Sequence, residues 1–377
     1  MRPGVLPLPP PISPLRRVTP STFQAHRECP LRAVWSAARQ NTPLPTFAGA
    51  VLGRVIHSAI EYARREHVRS RDDFEQIWGQ CMHNEEKVLV QSWTEAHLVP
   101  LSQSVRNYEQ KKELCWLAVR DIKPSFSRKW RRSPPIWPPC GDELWLETRD
   151  GVCVGRVDRI NNKGGVIEVI DYKSKVLLPH AEMGDDLGTY TPQLKYYAAL
   201  YHAQYREWPT ILKIVANGGQ EIEIPFTHDE CESLLKEAYT LLAKVNCTIR
   251  SASLDKRKAL SSLAKPSPKT CSLCLFRPVC APYWEGRSRA PNEDWPNDLH
   301  GTIIETGRWG KDRVYLDIAP YEGDKYVKVK VIEVSSGRHP ALKREKKEVY
   351  LFSLLQYKDR PDVFAEGKYT TIYVPKH

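Results

Sequence analysis

Hydrophobic and polar positions alternate most regularly over residues 152–175, VCVGRVDRINNKGGVIEVIDYKSK. Two runs rich in Val and Ile flank Asn161-Asn162-Lys163-Gly164-Gly165, a pattern that predicts a β-hairpin with acidic residues near the end of each strand. Side chains alternate along a strand, so Asp171 and Lys173 share one face with Val169. A two-residue turn centred on Lys163-Gly164 pairs Asn162 with Gly165 and Asp158 with Val169. That register leaves Asp158 diagonal to Asp171 on the same face, and a slip of one residue would separate them.

The pattern around the hairpin is mixed. Residues 21–40 read as two short helices broken at Cys29-Pro30, because proline suits a first helical turn. Residues 46–69 carry Val51, Val55, Ile56, Ile60 and Ala63 at helical spacing. Residues 71–139 are mostly helical in pattern, with Trp78, Trp93, Tyr108, Trp116 and Trp130 expected mainly in the core, and prolines at 134, 135, 138 and 139 mark a loop. Residues 142–147 read as a strand. Residues 189–208 predict a helix with Thr191 as N-cap and Pro192 at the first helical position. Two short strands follow around Asn217-Gly-Gly, then a helix over 229–249. Beyond Pro291 the pattern changes to short β runs at 301–306, 313–318, 326–334, 348–355 and 370–374, which suggest a small OB-like or SH3-like barrel.

Charge sharpens this division. The 377 residues carry a formal net charge of +11, which favours a polyanionic partner. From Pro291 onward Lys and Arg barely outnumber Asp and Glu, 15 against 14, so the excess lies with the larger N-terminal part. No apolar run is long enough to span a membrane, and no G-x-x-x-x-G-K-[S/T] motor motif occurs. Residues 1–18 form a proline-rich arm without the apolar core of a signal peptide. Ten scattered cysteines in so long a chain fit a reducing, cytoplasmic compartment better than a disulfide framework.

The candidate chemistry starts at the hairpin. Asp158 and Asp171 offer hard oxygen ligands for Mg²⁺ or Mn²⁺, and Lys173 can orient a water or balance developing charge. The chemistry this arrangement suggests is metal-assisted phosphodiester hydrolysis. Glu147 on the preceding strand is a further acid within reach. Elsewhere, Cys271-x₂-Cys274-x₅-Cys280 and the distant Cys29 supply four thiolates, enough for Zn²⁺ or an iron–sulfur cluster, and their spacing does not choose between them.

Gly155-Arg-Val-Asp158 followed by Ile170-Asp171-Tyr-Lys173 resembles the RecB-type branch of the PD-(D/E)XK nucleases. Ser21 with Cys29-Pro30, Gly53-Arg-Val-Ile-His57, Gln193-x₃-Tyr197 and the three later cysteines occur in that family's order, and the resemblance covers about residues 19–285. It implies an α/β, restriction-endonuclease-like core with a helical N-terminal part, to which the strand pattern beyond Pro291 adds a small C-terminal β-barrel-like domain. It further implies that His57 contacts the metal, that Gln193 and Tyr197 belong to the active site, and that Cys29, Cys271, Cys274 and Cys280 hold a [4Fe–4S] cluster, as in the AddB exonuclease domain and the CRISPR-associated adaptation nucleases. On this reading residues 19–290 form the nuclease domain, with a helical insertion at about 71–139, and 291–377 a separate β-rich domain. The expected activity is metal-dependent DNA cleavage, exonucleolytic on single-stranded or frayed ends, with a non-catalytic nucleic-acid-binding subunit as the alternative. The C-terminal domain is expected to grip single-stranded DNA through Trp309, Tyr326, Tyr350 and the basic run at 343–347, or to be a protein-docking or purely structural appendage.

Overall fold

The computed structural model describes residues 3–38, 42–66, 68–120, 122, 140–173, 184–216, 220–251, 255–321, 328–343 and 348–375. The expected proline-rich loop with Trp130, the Asn217-Gly-Gly turn, Tyr326 and residues 344–347 lie outside them.

Local signals set the first helices. Thr19 and Thr22 cap α1 (Pro20–Glu28) reciprocally, extended Cys29 breaks the helix, and Pro30 opens α2 (Pro30–Ala37). α3 (Ala48–Arg65) buries Val51, Leu52, Val55, Ile56, Ala59 and Ile60 along one stripe. That stripe packs against α4 (Arg71–Val90), α5 (Leu101–Ser104) and α6 (Tyr108–Arg120) around Phe74, Trp78 and Cys115.

The first sheet holds β1 (Gly141–Glu147), β2 (Val154–Lys163), β3 (Val166–Lys173), β4 (Ile211–Ala216) and β5 (Glu221–Glu223) in sequence order. All pairs are antiparallel except β3 with β4. A parallel pair needs a crossover, and α7 (Gly184–Tyr205) supplies it, laying Leu194, Tyr196, Tyr197 and Leu200 on the sheet. The helix begins earlier than expected, so Thr191 is not its cap and Pro192 lies inside it. Proline removes one backbone hydrogen bond there, and the buried face that follows outweighs that loss.

The hairpin register also differs from expectation. Lys163 pairs with Val166, Ile160 with Val169 and Arg159 with Ile170, so Gly164 and Gly165 form the turn. Their φ angles are +62° and +90°. A type I′ turn needs positive φ at both positions, and centring the turn on Lys163 would have forced a side chain into that region. The two-residue shift preserves the face of every side chain. One step beyond the last pair, Asp158 comes opposite Asp171 and not diagonal to it.

α8 (His228–Ser251), α9 (Lys256–Leu263), α10 (Pro268–Ser272) and α11 (Ala281–Arg289) lead to the second sheet. It comprises β6 (Leu299–Arg308), β7 (Arg313–Pro320), β8 (Val329–Ser335), β9 (Glu348–Phe352), β10 (Leu355–Tyr357), β11 (Arg360–Ala365) and β12 (Thr371–Tyr373). Their order is β10-β11-β8-β7-β6-β9-β12. The strand-rich region beyond Pro291 is thus present, with β11, in parallel contact with β8, as a strand that the pattern did not signal.

This sheet is firmly docked. The Tyr369 hydroxyl accepts from the Ala48 N–H at the start of α3, Phe47 meets Tyr369 edge-on, and Trp93 meets Tyr373 the same way. Tyr350 stacks on His300 and packs against Trp284, so this ring is occupied by the fold, whereas Trp309 is exposed. The proline-rich arm is irregular but tied at both ends: Val5 bridges Val374, and Val18 bridges Cys153. No helix among the described residues is long and apolar enough to cross a membrane.

Candidate active site

α3, β2, β3 and α7 bring the expected side chains together. His57, midway along α3, places Nε2 3.0 Å from the Tyr172 carbonyl and 3.6 Å from Asp158 Oδ2. Asp158 Oδ2 accepts from the Tyr172 N–H at 2.7 Å, which fixes the carboxylate where the β2–β3 ladder ends. The Tyr172 ring is held in turn by the Arg64 guanidinium, 4.0 Å above it and paired with Asp142.

Asp171 is 2 % exposed. Its Oδ1 accepts from Gln193 Nε2 at 3.0 Å, and Oδ2 meets the Lys173 ammonium at 2.5 Å without a directed hydrogen bond. Lys173 also donates to Gln193 Oε1 at 2.9 Å and lies over the Tyr190 ring. Gln193 therefore bridges both ends of the Asp171–Lys173 pair. One turn later Tyr197 donates to the Arg156 carbonyl at 2.8 Å. A Cβ on Gly155 would stand 2.7 Å from the Tyr197 ring, which is why glycine precedes Arg156 here.

Burial and the neighbouring Asp171 push the Asp158 carboxyl up to about 7, against the opposing pull of His57 and the Tyr172 N–H. A divalent cation would relieve that strain directly. The donor set suits one: His57, Glu143 and Asp158 each offer a ligand atom, all within 4.8 Å of one another. Glu143 was not among the sequence candidates. Glu147, which was, sits at the far end of β1 and accepts from the Trp145 indole. Once the β1–β2 register is known, Glu143 falls opposite Asp158, but the sequence around it carries no signal of that.

Cys29, Cys271, Cys274 and Cys280 border one pocket, closed by Leu31, Trp35 and Tyr283. All four are free thiols. Burial pushes the Cys271 thiol up to about 11 and raises Cys274 and Cys280 as well. Four converging thiols in an apolar setting fit a soft, thiolate-binding metal group, which would draw off those protons. Cys81, Cys115, Cys140, Cys153, Cys231 and Cys247 are not part of this cluster.

A family model for the PD-(D/E)XK nuclease superfamily matches residues 17–281. The chain belongs to that superfamily. No curated protein matches it. The match spans α1 to the first residue of α11, and so takes in every acid, amide and thiol named above. As a PD-(D/E)XK superfamily member the chain is of a metal-dependent nuclease type with DNA as the implied substrate, and His57, Glu143 and Asp158 form a possible site for the divalent ion.

Proposed function

We propose that this chain is a RecB-like DNA nuclease that hydrolyses phosphodiesters at single-stranded or frayed ends, with Asp158, Asp171 and His57 holding Mg²⁺ or Mn²⁺. The observation that carries this is the closed set Asp171–Lys173–Gln193, placed by a strand and a crossover helix directly beside Asp158. When bound, the ion supplies Lewis acidity toward the scissile phosphate and acidifies its water. The chain's own groups do the rest. Lys173 presents an ammonium where the attacking water must be oriented and phosphate charge must be balanced. Gln193 keeps both partners of the ion pair in place, so neither carboxylate nor ammonium has to reorganise. Tyr197 anchors the backbone at Arg156, two residues before Asp158. The preference for ends and single strands rests on the resemblance to RecB-type enzymes.

The test is digestion of end-labelled and circular DNA, single- and double-stranded, in Mg²⁺ or Mn²⁺. Asp171→Asn and Lys173→Ala should each lower cleavage by about 10²–10³-fold, with release of mononucleotides from ends and none from circles. Wild-type activity no higher than that of the variants would overturn the reading in favour of a non-catalytic subunit.

The four cysteines would hold a [4Fe–4S] cluster that clasps α1 and α2 to the segment before α11. Their common pocket supports this, as does the apolar cluster of Leu31, Val34, Trp35, Phe276 and Val279 against which Cys29, Cys274 and Cys280 pack. Purified anaerobically, the chain should be brown, with iron and acid-labile sulfide in equal amounts. Colourless protein with stoichiometric zinc would replace the cluster by a structural zinc site.

A further inference from the structure

The face of α3 that carries His57 continues one turn later to Glu61 and another turn later to Arg65. Between this end of α3 and α4 lies an open trough of about 330 Å³. That is room for one small ligand, whose sites run from about 300 to 1,000 Å³. Glu61 links the trough to the active site: its carboxylate meets Arg65 and lies 3.9 Å from Arg156 Nη2, and Arg156 shares a face of β2 with Asp158.

The lining is of three kinds. Half-buried Ile77 and Cys81 supply an apolar part, where burial and the nearby Glu85 and Glu61 push the thiol up and keep it uncharged. Gln76, Gln80 and Asn84, four residues apart on α4, add an exposed row of neutral amides. From α3 comes the Tyr62 ring, 41 % exposed, with its hydroxyl tied to Glu66 at 2.7 Å. An aromatic face beside amides that both donate and accept suits a nucleobase of any identity. The side chains of Arg65 and Arg156 are 68 % and 56 % exposed. Exposed ion pairs contribute little, so either guanidinium can turn from its carboxylate to a phosphate.

Resting on the nuclease reading above, we propose that the trough between α3 and α4 holds one unpaired nucleotide of a single-stranded DNA substrate. Its base stacks on Tyr62 and its edge bonds to the amides of Gln76, Gln80 and Asn84. From there the strand runs past Arg65 and Arg156 to the phosphate cut beside Asp158. A base inside a duplex is already stacked and paired, so this subsite selects single strands and frayed ends.

The experiment measures binding of labelled single-stranded oligonucleotides to the full chain, purified anaerobically, by fluorescence anisotropy in chelator, where no cleavage intervenes. Tyr62→Ala should weaken binding by about 5- to 150-fold, and Tyr62→Phe should restore it, because the ring is what stacks. A single abasic residue is then moved along the oligonucleotide. At one position it should weaken wild-type binding by a similar factor, and in Tyr62→Ala that position should cost nothing further, since ring and base form one interaction. Blunt duplex should bind more weakly than single strand and be indifferent to Tyr62. Thermal melts check that both variants fold as wild type does. Equal binding by Tyr62→Ala and wild type, an abasic penalty that survives in Tyr62→Ala, or tighter binding of blunt duplex would each overturn the subsite. Undiminished cleavage by Asp171→Asn would instead overturn the nuclease reading and leave a single-strand binding site in place.

Discussion

Asp158→Asn should abolish DNA cleavage and yet make the metal-free chain harder to unfold above pH 7. The two effects have one cause. Burial and the Asp171 charge raise the Asp158 carboxyl from its ordinary acidic range to about 7. A carboxyl whose folded pKa exceeds its unfolded one holds its proton more tightly in the folded state, so folding becomes less favourable as that proton is lost. The penalty is absent below about pH 4, grows as pH rises toward 7, and is complete above it. Asparagine keeps the acceptor for the Tyr172 N–H and removes the charge. Its gain above pH 7 is on the order of 2–4 kcal/mol, at about 1.4 kcal/mol per pKa unit. Urea melts in chelator across pH 4 to 9 test this: wild type should lose stability through the window and the variant should not. Adding Mn²⁺ should restore wild type and leave the variant unmoved, because the ion does for Asp158 what the proton did. A wild-type curve as flat as the variant's would remove the strain from Asp158.

How far the site was legible before the fold was known depends on what kind of signal each residue left. Asp158, Asp171 and Lys173 stood on strands whose alternation is local, and Cys29-Pro30 broke a helix by the geometry of proline alone. Gln193 and Tyr197 share a helix face under any helical reading, so an early start at Gly184 and a Pro192 inside the helix did not disturb them. The register was open to error because Lys163-Gly164 and Gly164-Gly165 are both acceptable pairs of turn residues, and only the sign of φ separates them. Since that error was an even number of residues, it moved no side chain to the wrong face. Glu143 was invisible for a different reason. Its approach to His57 depends on α3 packing beside the sheet and on a left-handed residue within a strand, neither of which alternation records. The same holds for the ties of Val5 to Val374 and Val18 to Cys153, since pairings between distant segments leave no local pattern.

Arg277→Ala should unfold the cysteine clasp and loosen the C-terminal sheet together. Arg277 is 3 % exposed and Asp298, its partner, is fully buried. Nε donates to Asp298 Oδ2 at 2.7 Å, Nη1 to the carbonyls of Cys271 and Cys274 at 3.1 and 2.9 Å, and Nη2 to Ser353 Oγ at 2.9 Å. Asp298 receives two further bonds, from the Tyr283 hydroxyl and the Ser353 N–H. One guanidinium therefore ties the loop that carries the cysteines to the strand region before β6 and to the end of β9. Removing one partner of a buried ion pair leaves the other charge unpaired, at about 3–5 kcal/mol, and here the carbonyls of Cys271, Ser272 and Cys274 and the Ser353 hydroxyl lose this donor as well. Lysine cannot reproduce a planar fork, so Arg277→Lys should recover little. Denaturant melts should show the loss, and metal bound at the cysteines should leave the variant sooner under chelator than it leaves wild type. The double variant Arg277→Met with Asp298→Leu removes both charges at once and should be more stable than either single change. Equal stability of Arg277→Ala and wild type would mean that the sheet is held by its aromatic contacts to Phe47 and Trp93 without help from this pair.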